Sequence, residues 1–152
     1  MEYTQYEQDL IFECEQHNSK VFRIWLFGTV ALMIASIVSM VVSMLEGIPH
    51  ENSGATFLGY GIGAAFVEML ACGGTFLTTL LAFLLYSKKR TAAKIFIVFS
   101  RFFAIIGILL WGFQSAPLFI GNTNPLGVWF VLTFCMHTAS FVLPFFRKKV
   151  HF

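Results

Sequence analysis

The sequence predicts an all-α integral membrane protein: a four-transmembrane-helix bundle with an N-terminal cytoplasmic helix continuing into the first span. Three observations predict it. Only 12% of the 152 residues are charged, about half the share of an ordinary soluble domain. The run from Ile24 to Leu45 is 22 residues without a charge, and roughly 20 apolar residues span a hydrocarbon core. Three further apolar runs follow without the strict alternation of barrel strands, and lipid admits only helices or closed barrels because every backbone polar group must be satisfied within the protein. The length suits a single membrane domain, residues 1–152.

The first element, residues 1–23, reads as an acidic amphipathic cytoplasmic helix. Tyr3, Tyr6, Leu10, Cys14, His17 and Val21 recur at spacings of three and four and form one apolar stripe, while Glu2, Glu7, Asp9, Glu13 and Glu15 occupy the other faces. An acidic surface is ill suited to an anionic inner leaflet. The expected seat is therefore the basic middle loop, the Arg147–Lys149 tail, or a partner, with the apolar stripe contributing more than exposed ion pairs at ~0–1 kcal/mol each. The segment is too polar for a signal peptide, and no cleavage or lipidation is expected.

The four spans are expected at Ile24 to Leu45, Phe57 to Tyr86, Ile95 to Phe113 and Leu126 to Phe146, followed by a basic tail, 147–152. All ten Lys and Arg fall before the first span, around the middle loop or after the last span. The positive-inside rule then predicts that both termini are cytoplasmic, with Trp25 at the inner interface and Trp111 and Trp129 at the outer one. The second span is long. Counting from Tyr86 at ~1.5 Å per residue, a ~30 Å core ends near Phe66. Glu68 is thus expected in the outer part of the membrane. Residues 54–65 could extend the helix, lie at the interface or re-enter.

Small residues define the expected packing faces. Gly61, Ala64, Ala65, Ala71, Cys72, Thr75, Thr79 and Ala82 share a face of the second span with Glu68, and Gly59 and Gly63 form a GxxxG pair. The first span carries Gly28, Ala31, Ala35, Ser39 and Ser43, and the third Ser100, Ala104 and Gly107. Membrane helices associate through such faces by close van der Waals approach. Gly59, Gly63, Ala64, Ala71, Gly28 and Ala35 are the packing candidates. Gly59-Tyr60-Gly61 is not a potassium filter, because Phe57 and Leu58 stand where the threonine ligand belongs and the loop upstream leaves no room for a pore helix.

Three ionisable residues inside the spans are the binding or proton-site candidates: Glu68, His137 and Arg101. A carboxylate in a span costs ~2.5–3.5 kcal/mol at mid-membrane and less near the interface. Glu68 suits proton coupling or cation binding, against the plainer role of a hydrogen-bonded or externally wetted acid. His137 shares a face with Thr133 and Ser140 and by depth lies nearer Arg101 than Glu68. Its plainer role is a hydrogen bond across helices. Arg101, about 10 Å in from Lys94, is expected to snorkel to the cytoplasmic headgroups.

No metal or cofactor is expected. Cys14, Cys72 and Cys135 form no CxxC pair and read as small apolar residues. Glu46, His50 and Glu51 are a poor donor set in an outer loop. A single in-membrane histidine cannot supply bis-histidine haem ligation within one chain. There is no nucleophile with a local base, no phosphate loop and no pair of carboxylates at helical spacing, so the chain reads as non-catalytic. No nucleic-acid partner is expected. The favoured function is an assembly or accessory subunit of a membrane complex, its partners being the bilayer and either further copies or other membrane subunits. The alternative is a small transporter or channel, proton- or cation-coupled, that uses Glu68.

Overall fold

The structure, a computed structural model, describes residues 4–47, 54–119 and 128–148, with side chains for all of these except 43–47, 54–62, 114 and 116–119. Helix α1 (Gln5–Gly47) opens on a capping box. Thr4 N donates to Glu7 Oε2 at 2.8 Å, and Glu7 N donates back to Thr4 Oγ1 at 3.4 Å. Its 43 residues form one rod of roughly 65 Å, so the amphipathic segment and the first span are continuous. Helix α2 (Gly54–Tyr86) includes residues 54–65, which extend it rather than re-enter. A tight turn follows, in which Lys88 N and Lys89 N both donate to Leu85 O, at 3.1 and 2.7 Å. Helix α3 (Arg90–Phe119) then runs beyond its expected span at both ends.

Helix α4 (Val128–Val142) stops short of the expected Phe146 and gives way to a 3-10 turn, Leu143–Phe146. Pro144 is the cause: it has no N–H, and its ring would collide with the carbonyl of Ser140 in a continued α-helix. Beyond the turn, Arg147 is extended, with φ −71° and ψ 131°. All four helices, the last counted through its 3-10 turn to Phe146, are long and apolar enough to cross a membrane.

Each helix packs on two neighbours in the cyclic order α1, α2, α3, α4. Paired residues run in opposite directions along each seam: Asn18 with Tyr86 and Ser36 with Glu68 between α1 and α2, Trp25 with Ser140 and Ser39 with Thr133 between α1 and α4. The bundle is therefore up-down-up-down, with α2 and α4 on one diagonal and α1 and α3 on the other. Its polarity is the reverse of a soluble domain. Thr29, Ser36, Ser39, Glu68, Thr75, Thr79, Ser100, Thr133 and His137 are buried, while Phe27, Phe66, Phe102, Leu109 and Phe113 are exposed.

The small-residue faces fare differently. On α2, Ala71, Cys72, Thr75, Thr79 and Ala82 all turn inward with Glu68. Thr79 and Ser100 hydroxyls meet at 2.9 Å, and Gly74 lies under the Phe103 ring, where a Cβ would come within 2.6 Å. On α1 the expected stripe is rotated. Ala31 is exposed and a Cβ at Gly28 would meet nothing, whereas Trp25, Thr29, Leu32, Ala35, Ser36, Ser39 and Val42 are buried. The indole of Trp25, donating to Ser140 Oγ at 3.2 Å, commits this face to the interior.

Two tryptophans expected at the interfaces are core residues. Trp25 joins Phe22, Ala82 and Ile97 in one apolar cluster. Trp111 stacks on Phe130 at 5.5 Å in a second cluster with Val42. The indole N–H of Trp25 finds a hydroxyl inside the bundle, whereas that of Trp111 is buried without a partner.

The N-terminal segment docks, but not through its apolar stripe alone, since Tyr6 is exposed. Asn18 is the clamp. Its Nδ2 donates to Tyr86 Oη at 2.8 Å and to Lys148 O at 3.1 Å, and its Oδ1 accepts from Lys148 N at 2.9 Å. Phe22 packs on Tyr86 at 4.9 Å between ring centroids. The Arg90–Glu15 ion pair, 2.6 Å apart, is exposed on both sides and adds little. Replacing Asn18 with Ala strands the Lys148 N–H and is expected to cost about 1–3 kcal/mol, read as a lower midpoint in detergent-mediated unfolding.

Candidate functional site

Glu68 and His137, which the sequence places at different depths, meet at the centre of the bundle. His137 Nε2 lies 3.1 Å from Glu68 Oε1, and both side chains are 0% exposed. Ser36 Oγ donates to the same Oε1. The second contact is an Nε2–H···O bond when the carboxyl group is ionised and an O–H···Nε2 bond when Oε1 carries the proton. The pair bridges the diagonal helices α2 and α4, and Ser36 reaches it from α1.

Helix α3 contributes the absence of a side chain. A Cβ at Gly107 would fall directly against Cε1, Nδ1 and Nε2 of His137. The imidazole therefore lies over bare α3 backbone, and glycine is what makes room for it. Cys72, one turn on from Glu68 along α2, is buried on the same face. All four helices thus supply one point.

The error in depth has a physical source. Ser36 and Glu68 each lie 18 residues from the Asn18–Tyr86 contact, about 27 Å of α-helix. His137 is only 11 residues from Lys148, which is clamped to Asn18. Those residues include four of 3-10 helix and an extended stretch, which rise ~2.0 and ~3.3 Å per residue against ~1.5 Å in an α-helix. Counting all of them as α-helix sets His137 several ångströms too near the basic pole.

Arg101 belongs elsewhere. Its guanidinium carbon stacks 3.8 Å above the Phe145 ring, at the pole where Arg147 also lies. Of the packing candidates, Ala35 and Ala71 are buried, Ala64 is partly buried, and Gly63 is exposed with nothing near its absent Cβ, as for Gly28. Gly59 lies in α2, but its surroundings fall outside the described residues, as do His50, Glu51 and the side chain of Glu46.

A polar layer continues from the pair along the α1–α4 seam. Ser39 and Thr133 hydroxyls meet at 2.7 Å, and Ser39 donates to Trp129 O at 2.9 Å. Ser140, one turn from His137 on the other side, accepts from Trp25. The two apolar clusters lie beyond this layer, one towards each pole. Satisfaction is incomplete within it: Glu68 Oε2 and His137 Nδ1 are buried with no hydrogen-bond partner. Among the described residues, no three His, Cys, Asp or Glu side chains gather to hold a metal. The arrangement can accept, hold and pass a proton between a carboxylate and an imidazole, shielded from water.

Sequence reasoning missed Ser36, which stands one position off the expected α1 stripe. It noted Gly107 only as a packing residue. A glycine one helix away from a buried histidine carries no distinctive local signal. Comparison of the chain with protein-family models, with curated proteins and with solved structures finds no match.

Gly107→Ala should force the imidazole off Glu68 and cost about 1–3 kcal/mol, the usual range for overpacking. In a His137→Ala background the ring is gone, and the same substitution should be neutral or slightly stabilising, since Ala is a better helix former than Gly by about 1 kcal/mol. A double-mutant cycle on unfolding free energies reads the coupling. Additive effects would mean that the ring does not rest on Gly107.

Proposed function

We propose that this chain is a multi-pass membrane protein, with both termini on the cytoplasmic side, that acts as a small proton-coupled transporter or channel in which Glu68 and His137 together bind the proton. One observation carries this reading. Two fully buried ionisable groups are hydrogen-bonded to each other at the bundle centre, yet each keeps one polar atom without a partner. Buried polar atoms without a partner are few in native proteins, and ionisable groups inside a span are rare and mark ion or proton pathways. A proton that enters or leaves the pair changes its charge by one in a low-dielectric interior, where Coulomb energies are several times those at the surface. Neighbouring helices then respond to protonation, which is what coupling requires.

The apolar clusters fit the same reading. Phe22, Trp25, Ala82 and Ile97 stand between the pair and one pole, and Val42, Trp111 and Phe130 between it and the other. A central site closed at both ends is the occluded state of alternating access, in which one part of a bundle rocks against the rest. The orientation rests on Arg90, Arg101, Arg147 and Lys148, gathered at one pole.

Assembly as an accessory subunit is the second reading, and a separate observation favours it. Gly28 and Gly63 have open space where a Cβ would be, so these glycines lie on the outside of the bundle, where another membrane helix could approach.

Proton flux into vesicles loaded with a pH-sensitive dye, driven by an imposed potential, tests the first reading. Glu68→Gln keeps the shape and the acceptor oxygen but cannot take up a proton. Its flux should fall at least tenfold, with the unfolding midpoint and oligomer size unchanged. Wild-type flux in that variant would sink the proton-site reading. If Gly28→Leu with Gly63→Leu also halves the oligomer size, the assembly reading stands in its place.

A further inference from the structure

We infer that Arg101 and Arg147, with the neighbouring Phe102 and Phe145, form a binding site for an acidic phospholipid, its phosphate held by the two guanidinium groups and its acyl chains lying on the aromatic surface. The inference rests on the membrane reading above but not on the role of Glu68.

Both arginines are positioned by rings rather than by acids. Arg101 stacks 3.8 Å over Phe145, and the guanidinium carbon of Arg147 lies 5.7 Å from the Phe22 centroid. Arg147 Nε donates to Pro144 O at 3.0 Å, which orients its remaining donors. Among the described residues neither arginine forms a salt bridge, and the one carboxylate engaged at this pole, Glu15, is taken by Arg90. Arg101 Nε is buried without a partner.

The two cations also act on each other. Burial holds the Arg147 guanidinium below its usual range and the nearby Arg101 charge pushes it further down, with the Tyr86 hydroxyl acting in the opposite sense. Two like charges held together without an anion are unfavourable, and a phosphate matches the planar fork of each guanidinium. Phe102 and Phe145, beside them, are 57% and 62% exposed. Charge and apolar surface side by side suit a lipid and not a free anion. In the cytoplasmic leaflet the acidic phospholipids are the species attracted to basic groups.

Native mass spectrometry of the detergent-purified chain tests the site, with phosphatidylglycerol and phosphatidylcholine of matched acyl chains as probes and inorganic phosphate as a third arm. Phosphatidylglycerol should be retained at least tenfold better than phosphatidylcholine and should raise the unfolding midpoint, and inorganic phosphate should do neither. Arg101→Gln with Arg147→Gln should abolish the preference, and Arg147→Gln alone, in the tail, should weaken it without disturbing the bundle. Lys88→Gln with Lys89→Gln removes as much charge from the same pole and should leave the preference intact. A preference that survives loss of both arginines, or falls equally with both lysines, would overturn the site. Stabilisation by inorganic phosphate alone would overturn its assignment to a lipid. A chain that fails to float with vesicles would instead remove the membrane reading beneath it.

Discussion

A carboxyl group at the centre of a bundle with an apolar exterior has to find its hydrogen-bond partners within the protein. Glu68 finds them on two helices other than its own, Ser36 on α1 and His137 on α4, while α3 contributes the bare backbone at Gly107 that admits the imidazole. Sliding any helix by one residue turns its side chains by about 100° and dismantles this point. Removing one partner leaves the other buried without its hydrogen bond, which costs about 1–3 kcal/mol. An ordinary interhelical hydrogen bond in a membrane averages ~0.6 kcal/mol. The central pair therefore weighs more in setting helix register than the flanking hydroxyl contacts, Thr79 with Ser100 and Ser39 with Thr133.

The remaining structure keeps that point in place and dry. The Asn18 clamp ties α1 to the end of α2 and to the tail, so the basic pole closes as a unit. The cluster around Phe22 and Trp25 fills the bundle above the clamp, and the cluster around Trp111 and Phe130 fills the far end. These rings contribute dispersion and shape complementarity between the helices. They also shield the Glu68–His137 pair towards both poles.

There is a tension in this design. The features that satisfy Glu68 argue for a structural role, and Ser36 and His137 satisfy Oε1 twice over. The atoms left over, Oε2 and Nδ1, argue the other way. A core selected for stability alone would place a hydroxyl or amide there, and α1 and α4 already carry serines and threonines within a turn of the site. These two unpaired atoms on titratable groups are the feature on which the proposed proton site rests.

Much of this protein was legible before any tertiary contact. Composition marked a chain suited to a membrane, since only 12% of its residues are charged. Uninterrupted apolar runs decided four helices, the segregation of Lys and Arg marked one pole, and small residues beside Glu68 marked the inward face of α2. These are sums over segments, and errors of a residue or two do not change them. The partners of Glu68 were not legible, nor was the outward turn of Gly28 and Ala31 or the interior place of Trp25 and Trp111. Each depends on rotation and register, which four helices settle jointly. His137 shows the reason most clearly: Pro144 turns the end of α4 into 3-10 and extended chain, whose greater rise per residue closes part of the difference in depth between His137 and Glu68. Sequence alone determined what each helix is made of. Only tertiary structure decided where along its neighbours each helix stops.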